Sequence, residues 1–158
     1  MGTPNLEQNP IVSKLRAWDP QAVTEAREFR GELTIVVPRG LLRRAAELLS
    51  RDAEWQFSFL SDITAVDRFP LEPRFELNYH VVSLSRRERL RLKVRVAGGD
   101  AAVESVTTVW PTADWHEREI FDLFGVRFEG HPDLRRIFMP EDWEGHPLRK
   151  DYPVEGYR

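Results

Sequence analysis

The segment FELNYHVVSLSRRERLRLKVRV, residues 75–96, carries a two-residue period twice over. Phe75, Leu77, Tyr79, Val81 and Ser83 form one face of the first arm, and Leu90, Leu92, Val94 and Val96 one face of the second. That period belongs to strands with two unlike faces, and two such arms in succession read as a hairpin. Pairing Val81 with Leu92 and Tyr79 with Val94 keeps both apolar sets on one side. The other face then opposes His80 to Lys93 and Asn78 to Arg95. The turn this register implies, Arg86-Arg87, lacks the Gly or Asn that a tight two-residue turn prefers. The basic face Arg89, Arg91, Lys93 and Arg95 has no interleaved aromatics, which a nucleic-acid strip would need. A solvated sheet face, or an edge guarded against aggregation, accounts for it.

Upstream, Leu41, Leu42, Ala45, Leu48 and Leu49 recur at helical spacing with Arg43, Arg44, Glu47 and Arg51 opposite, an amphipathic helix that should lie on the sheet. Trp55, Phe57 and Phe59 alternate with polar residues and start a strand, and Asp67 to Pro73 reads as a loop. Ala22 to Val37 reads as two strands joined at Arg30-Gly31, with Leu33, Ile35 and Val37 on one face. Pro10 to Trp18, with Ile11, Leu15 and Trp18 aligned, is a short helix carrying proline in its first turn. Downstream, Gly98-Gly99-Asp100 is a turn, and Val103 to Trp110 one more short strand closed by Pro111. The predicted class is α/β (α+β): a two-layer domain of helices on a mixed, mostly antiparallel sheet, followed by an extended C-terminal tail. The domain spans 1–138 and the partner-binding tail 139–158.

The chain has 158 residues, a net charge of −3 and no cysteine. This length supports one domain with an appendage. The missing thiols exclude disulfides, cysteine-ligated iron–sulfur clusters, thiolate zinc sites and cysteine nucleophiles. No apolar run approaches the ~20 residues of a membrane span. Neither a signal peptide nor a transit peptide is legible at the N-terminus, so a soluble, cytoplasmic protein is the expectation. No GxGxxG or GxxxxGK[ST] phosphate loop occurs.

Residues 112–124 read as a helix, with Thr112 as N-cap and Gly125 as C-cap. Asp114, Arg118 and Asp122 lie along one stripe and form a charge ladder if exposed. Glu117 shares a face with Ala113, Ile120, Phe121 and Phe124, so it needs a cation or several donors. It is either a structural pair, with an arginine such as Arg135 or Arg136, or a catalytic acid or ligand. His116, His131 and His146 are spaced by fifteen residues with acids nearby. His116-Glu117-Arg118-Glu119-Ile120 is not HExxH, so a metal site lacks helical ligand spacing.

Glu117-Arg118-Glu119, Asp122-Leu123-Phe124, His131, Arg135, Ile137 and Phe138 together resemble the signature of the 30 kDa subunit of respiratory complex I, the bacterial proton-pumping NADH:quinone oxidoreductase. Gly130-His131-Pro132 and Pro147-Leu148-Arg149-Lys150-Asp151-Tyr152-Pro153 add to it. Phe59 to Asp67 and Arg74 to His80 match more loosely, and before Ala53 only the element pattern agrees. The resemblance implies a scaffold subunit of the peripheral arm, without catalytic residues or a cofactor of its own. Fe–S clusters, FMN and quinone would sit on partner subunits. It also implies a tail running over the 49 kDa-type subunit, near the subunit that carries the terminal cluster, on the cytoplasmic face of the bacterial inner membrane. Membrane association comes only through the complex, and no nucleic acid is involved.

The residues then divide by role. Glu117, Arg118, Glu119, Asp122, His131, Arg135, Arg136 and His146 mark the signature. Phe138, Trp143, Tyr152 and Tyr157 are interface anchors, and Arg149, Lys150 and Asp151 pair at the rim. The aromatics of the tail are too far apart in an extended chain to cluster, so the tail is expected to lie along a partner and not on its own domain. Three other readings remain: a subunit of a related membrane-bound hydrogenase or other donor:quinone complex, a free-standing metal-dependent hydrolase using Glu117 and the histidines, and a generic protein-binding module.

Overall fold

The computed structural model describes residues 6–157. The first five residues and Arg158, which the two expected segments include at their ends, lie outside the described residues.

The strands are β1 (Glu25–Phe29), β2 (Glu32–Val36), β3 (Phe59–Asp67), β4 (Phe75–Ser83), β5 (Glu88–Val96), β6 (Ala102–Glu104) and β7 (Arg127–Glu129). The helices are α1 (Pro10–Trp18), α2 (Leu42–Arg51) and α3 (Ala113–Phe124). Five strands form one sheet in the order β1-β2-β5-β4-β3, antiparallel except for the parallel β2–β5 pair. β6 and β7 form a separate parallel pair. The mixed, mostly antiparallel two-layer architecture is the one expected. Among the described residues no helix is long and apolar enough to cross a membrane.

The helices cover one face of the sheet. Leu15 of α1, Leu42, Ala45 and Leu49 of α2, and Ala113 and Ile120 of α3 join Ile35, Leu77, Tyr79, Leu92 and Val94 in one buried cluster. Each large apolar side chain so buried contributes roughly 1.5–3 kcal/mol. Asn9 caps α1, accepting the amides of Ile11 at 3.0 Å and Val12 at 3.4 Å on its side-chain oxygen.

The β4–β5 arms pair as expected on their apolar face, but two residues out of the expected register. Tyr79 opposes Leu92, Val81 opposes Leu90 and His80 opposes Arg91. The physical reason is the turn. Leu84 to Arg87 forms a four-residue loop between the paired Ser83 and Glu88, which spares Arg86-Arg87 a tight two-residue geometry. A shift of two keeps every side chain on its face, so the apolar pattern cannot distinguish the two registers.

β5 is central, so its basic face is not a guarded edge. Acids on β1, β2 and β4 pair with Arg91, Lys93 and Arg95 instead. Arg91 meets Glu32 at 2.8 Å, Lys93 meets Glu76 at 3.1 Å, and Arg95 meets Glu25 at 2.6 Å and Glu76 at 3.2 Å.

Two expected strands are shorter than their patterns. Trp55 and Phe57 precede β3 in a turn, though both are buried. The Trp110 indole donates to the Phe57 carbonyl at 3.0 Å, which satisfies the one polar group of a buried tryptophan. Beyond β6 the chain leaves the extended form at Ser105, and the reason lies in α3.

Candidate functional site

The sequence signature folds into a face built by α3, the loop after β7 and the segment up to Tyr157. At its centre, Glu117 is fully buried, as its place on the apolar stripe requires. Among the described residues no arginine meets it, which corrects the expected ion pair with Arg135 or Arg136. Its Oε1 accepts the Val106 amide at 2.7 Å, and its Oε2 accepts the Ser105 hydroxyl at 2.7 Å. These contacts turn the chain away from the strand expected through Trp110.

His131 stands close by, with Nε2 3.9 Å from Glu117 Oε2 and 3.1 Å from the Asp114 carbonyl. His131 Nδ1 accepts the Asp133 amide at 3.0 Å, so the ring proton sits on Nε2. Burial without a countercharge pushes the Glu117 carboxyl up to about 7, against the lowering effect of its Val106 and Ser105 donors. The Tyr79 hydroxyl is also buried and finds no hydrogen-bond partner among the described residues; burial and the nearby Glu117 charge hold it well above its ordinary range.

This environment sets a pH dependence. The folded carboxyl holds its proton to about pH 7, while the unfolded one releases it near 4.5. Below 4.5 both states are protonated and Glu117 costs nothing. As pH rises from there to about 7, the unfolded chain ionises first and stability falls, by a total on the order of 3 kcal/mol. Glu117→Gln preserves an acceptor for Val106 and a partner for Ser105 without the charge. Denaturant unfolding should find the variant about as stable as the parent at pH 4.5 and more stable, by on the order of 2–3 kcal/mol, at pH 8. A parent-to-variant difference that stays constant with pH would contradict this.

The exposed ladder expected of Asp114, Arg118 and Asp122 does not form. Arg118 is buried and donates to the carbonyls of Arg135 and Arg136, each at 3.2 Å, with its guanidinium over the Trp115 ring. Asp122 is wholly buried. Its Oδ2 accepts the amides of Ile137 at 3.1 Å, Phe138 at 2.7 Å and Met139 at 2.9 Å, while Oδ1 accepts Arg136 at 2.7 Å. Burial raises the Asp122 carboxyl, but the three amides and Arg136 outweigh it and hold the group below the usual carboxylate range. Arg136 also donates to the carbonyls of Trp143 and Gly145, both at 2.9 Å. Glu119 is half-buried and makes no ion pair among the described residues. Thr112 does not cap α3; its hydroxyl donates to Leu60 O at 3.4 Å, and its backbone is already helical.

The segment after Met139 returns to its own domain, contrary to the expectation that it lies only along a partner. His146 Nδ1 meets the Asp122 carbonyl at 2.9 Å, and Arg149 Nε donates to Phe124 O at 2.6 Å. The Leu148 amide donates to Leu123 O at 3.0 Å, which ties the tail to the last turn of α3. Further along, the Lys150 amide donates to Asp67 Oδ2 at 2.8 Å, and Asp151 pairs with Arg74 at 2.6 Å. Arg74 also holds Asp67 at 2.8 Å. Burial opposes the Asp67 charge, but Arg74 and the Lys150 and Phe69 amides hold that carboxyl well below its usual range. The physical reason for the return is the end of α3, whose last carbonyls need donors that the helix cannot supply. Nor do the aromatics stay apart, since Tyr152 and Tyr157 meet edge to face with centroids 5.4 Å apart.

Sequence reasoning missed Asp67, Arg74 and Ser105. Asp67 carries a signal: it heads a proline-rich loop and accepts the amide two residues on, the usual Asx geometry. Gly125 does more than cap α3. At φ 74° it occupies the left-handed region, and a Cβ there would lie 2.5 Å from Arg149 Nη2. The three histidines of the metal reading go to separate partners: His116 to Asp62, His131 to Asp114, and His146 to the Asp122 carbonyl. Among the described residues no three of His, Asp and Glu converge as a metal-ligand set.

What this geometry offers is a shaped surface. Buried charges fix the backbone from Arg135 to Asp151, and the side chains left outside set large apolar groups among charged ones such as Glu141, Asp142, Glu144 and Lys150. Phe138 is 63% exposed, Trp143 39%, Leu148 52% and Tyr157 57%, with Trp115 of α3 at 61%.

Residues 35–158 match the family model described as respiratory-chain NADH dehydrogenase, 30 Kd subunit, which carries the relationship upstream of Ala53. Over 149 residues the chain is 47% identical to the C subunit of the NADH-quinone oxidoreductase of Roseiflexus sp. (strain RS-1), covering 94% of this chain and 86% of that protein. It is similar in structure to the trypsin-resistant fragment (1-134) of Nqo5, with 31% identity and a TM-score of 0.67 over 80% of this chain and 98% of that one. It is also similar to a chain of the membrane-bound sulfane sulfur reductase, an archaeal respiratory membrane complex, with 28% identity and a TM-score of 0.77 over 94% of this chain and 86% of that one. Neither the hydrogenase reading nor the free-standing hydrolase reading is favoured beside these matches. The chain belongs to the family of the 30 kDa subunit of respiratory-chain NADH dehydrogenase.

Proposed function

We propose that this chain is a non-catalytic scaffold subunit of the peripheral arm of a proton-translocating NADH:quinone oxidoreductase. It supports electron transfer from NADH to quinone by docking on the 49 kDa-type subunit, next to the one that carries the terminal cluster. Family membership makes it a subunit of an NADH dehydrogenase complex. One observation carries the finer reading. The signature charges are committed to backbone groups and to each other: Asp122 to three amides and Arg136, Arg118 to two carbonyls, Arg149 to the end of α3. A catalytic acid or base needs to reach a substrate proton, and these groups are already engaged. Their product is a fixed shelf bearing exposed aromatics, the residue types that dominate binding energy at interfaces.

The absence of cysteine leaves no thiolate for an iron–sulfur cluster, which supports placing the clusters, and with them FMN and quinone, on partner subunits. Attachment to the membrane then comes through the complex, on the cytoplasmic face of the bacterial inner membrane.

The test is a pair of substitutions on the shelf, Phe138→Ser and Trp143→Ser. The Phe138 side chain is mostly exposed and that of Trp143 more than half covered, so isolated Phe138→Ser should keep its stability within about 0.5 kcal/mol and Trp143→Ser should lose no more than about 2 kcal/mol. Assembly should suffer instead, with each lost anchor weakening docking by roughly 2 kcal/mol or more, about thirtyfold. Native gels and NADH:quinone reductase activity of membranes read the outcome. Normal incorporation of the double variant, with full activity, would overturn the assignment of this face.

A further inference from the structure

A second exposed feature lies at another place on the sheet and is not used by the α3 face. β2 and β5 run parallel, with Leu33 opposite Leu90, so the β1–β2 turn and the β4–β5 turn emerge at the same end of the sheet. Each turn carries an arginine in the left-handed region, Arg30 at φ 52° and Arg87 at φ 58°. Glycine or asparagine would sit there with less strain. Together with Arg86 and Arg89 these residues border a groove of about 670 Å³ whose lining includes Ile11, Leu33 and Trp55. That volume falls in the range of sites for small ligands or a few side chains.

The charges around the groove lean positive: four arginines line it with Glu28, Glu32 and Glu88. Glu88 pairs with Arg86 at 3.0 Å, and Glu32 is taken by Arg91 at 2.8 Å. Arg30, Arg87 and Arg89 make no carboxylate contact among the described residues, and all three are exposed. This concentration of unpaired cations sits on a chain whose net charge is −3. Beside the groove, Phe29 is 59% exposed and lies under the guanidinium groups of Arg27 and Arg30, at 5.5 and 5.2 Å.

We propose that the arginine-tipped end of the sheet, Arg30, Arg87 and Arg89 around the groove, is a second docking site that takes an acidic segment of a neighbouring subunit. The inference rests on the reading of the chain as a subunit of a larger complex. Guanidinium groups match carboxylates in forked geometry, and three of them on two turns suit a segment with several Asp or Glu side chains. The groove itself, with the edges of Ile11, Leu33 and Trp55 in its lining, provides a seat for one side chain of the same segment. A bilayer fits less well, because the arginines border a concave groove that a planar headgroup surface cannot fill, whereas a single peptide segment can. A free phosphate fits less well too, since the amides at the start of α1 are already taken by Asn9.

The test uses the assembled complex. A photo-crosslinking amino acid is placed at position 87 of the full chain, the complex is purified in mild detergent, and the crosslinked peptide is sequenced. The expected product joins position 87 to an acidic segment of another subunit. Crosslinks confined to lipid, or to a neutral or basic segment, or none to any other subunit, would overturn the inference while leaving the subunit assignment standing. Failure of the chain to co-purify with any complex would overturn both.

A second pair of variants separates binding from folding. Arg30→Gly and Arg87→Gly relieve the left-handed turns, so the melting temperature of the isolated chain should hold or rise. The same double variant should be retained in the complex at least tenfold less tightly than the parent at low ionic strength. Raising the salt should narrow that gap, because screening weakens the parent's charge pairs and the variant has fewer to lose. Retention equal to the parent's across the salt range would also overturn the inference.

Discussion

Asp122→Ala is expected to cost about 3–5 kcal/mol of folding stability and to abolish assembly. The carboxylate is wholly buried and accepts the amides of Ile137, Phe138 and Met139 along with Arg136. Alanine leaves all of these donors inside without an acceptor, and one of them is a cation. A stranded buried partner carries most of the loss when a buried pair is broken. Asp122→Asn retains one oxygen but turns an amide toward either Arg136 or the backbone amides, so it should cost less, roughly 1–3 kcal/mol. Urea unfolding at pH 7 measures both. The contribution has a defined pH window. Asp122 is held below its ordinary value of 3.8, so its stabilisation is present above that pH and is lost as pH falls below it. A surface role for Asp122, as one rung of an exposed ladder, would instead give a few tenths of a kcal/mol.

The second large effect concerns the tail. Deleting residues 139–158 removes the Met139 amide from Asp122, the Trp143 and Gly145 carbonyls from Arg136, and the donors that Leu148 and Arg149 give to α3. It also removes the Lys150 amide from Asp67 and Asp151 from Arg74. At roughly 0.5–1.5 kcal/mol for each bond, and discounting those that water replaces, the loss is on the order of 3–5 kcal/mol. For a domain of this length that lowers the melting temperature by roughly 6–20 °C. The truncated domain should still fold, because the buried cluster under the sheet involves none of the deleted residues. Calorimetry of the truncated chain checks this. A melting temperature equal to the parent's would restore the view of the tail as an appendage without ties to its domain.

The sheet is legible because its apolar alternation is strict: Leu77, Tyr79, Leu90 and Leu92 are all buried as their period requires. The register of β4 on β5 is not, since a slip of two residues preserves that alternation. The burial of Glu117 is legible from the stripe it shares with Ile120 and Phe121, but its partners are not. Val106 and Ser105 lie eleven and twelve residues upstream in a turn, and no local pattern marks a backbone amide as a carboxylate's donor. The tail misleads for a related reason. Its prolines do prevent a helix, but its attachments run through backbone amides and carbonyls, which every residue carries and no sequence displays. The signature is therefore recognisable as a family pattern before its physical purpose can be read.

The most direct measurement of the central claim, that the buried signature charges pre-form the docking shelf on the chain itself, is amide hydrogen exchange of the isolated subunit. Slow exchange is expected at Ile137, Phe138 and Met139, held by Asp122, and at Leu148 and Lys150, held by Leu123 and Asp67. Protection at these positions should be present before any partner is added and should disappear at 137–139 in Asp122→Ala. Exchange at the rate of an unstructured chain in the isolated subunit, with protection only inside the complex, would contradict it and assign the order of the shelf to the partner.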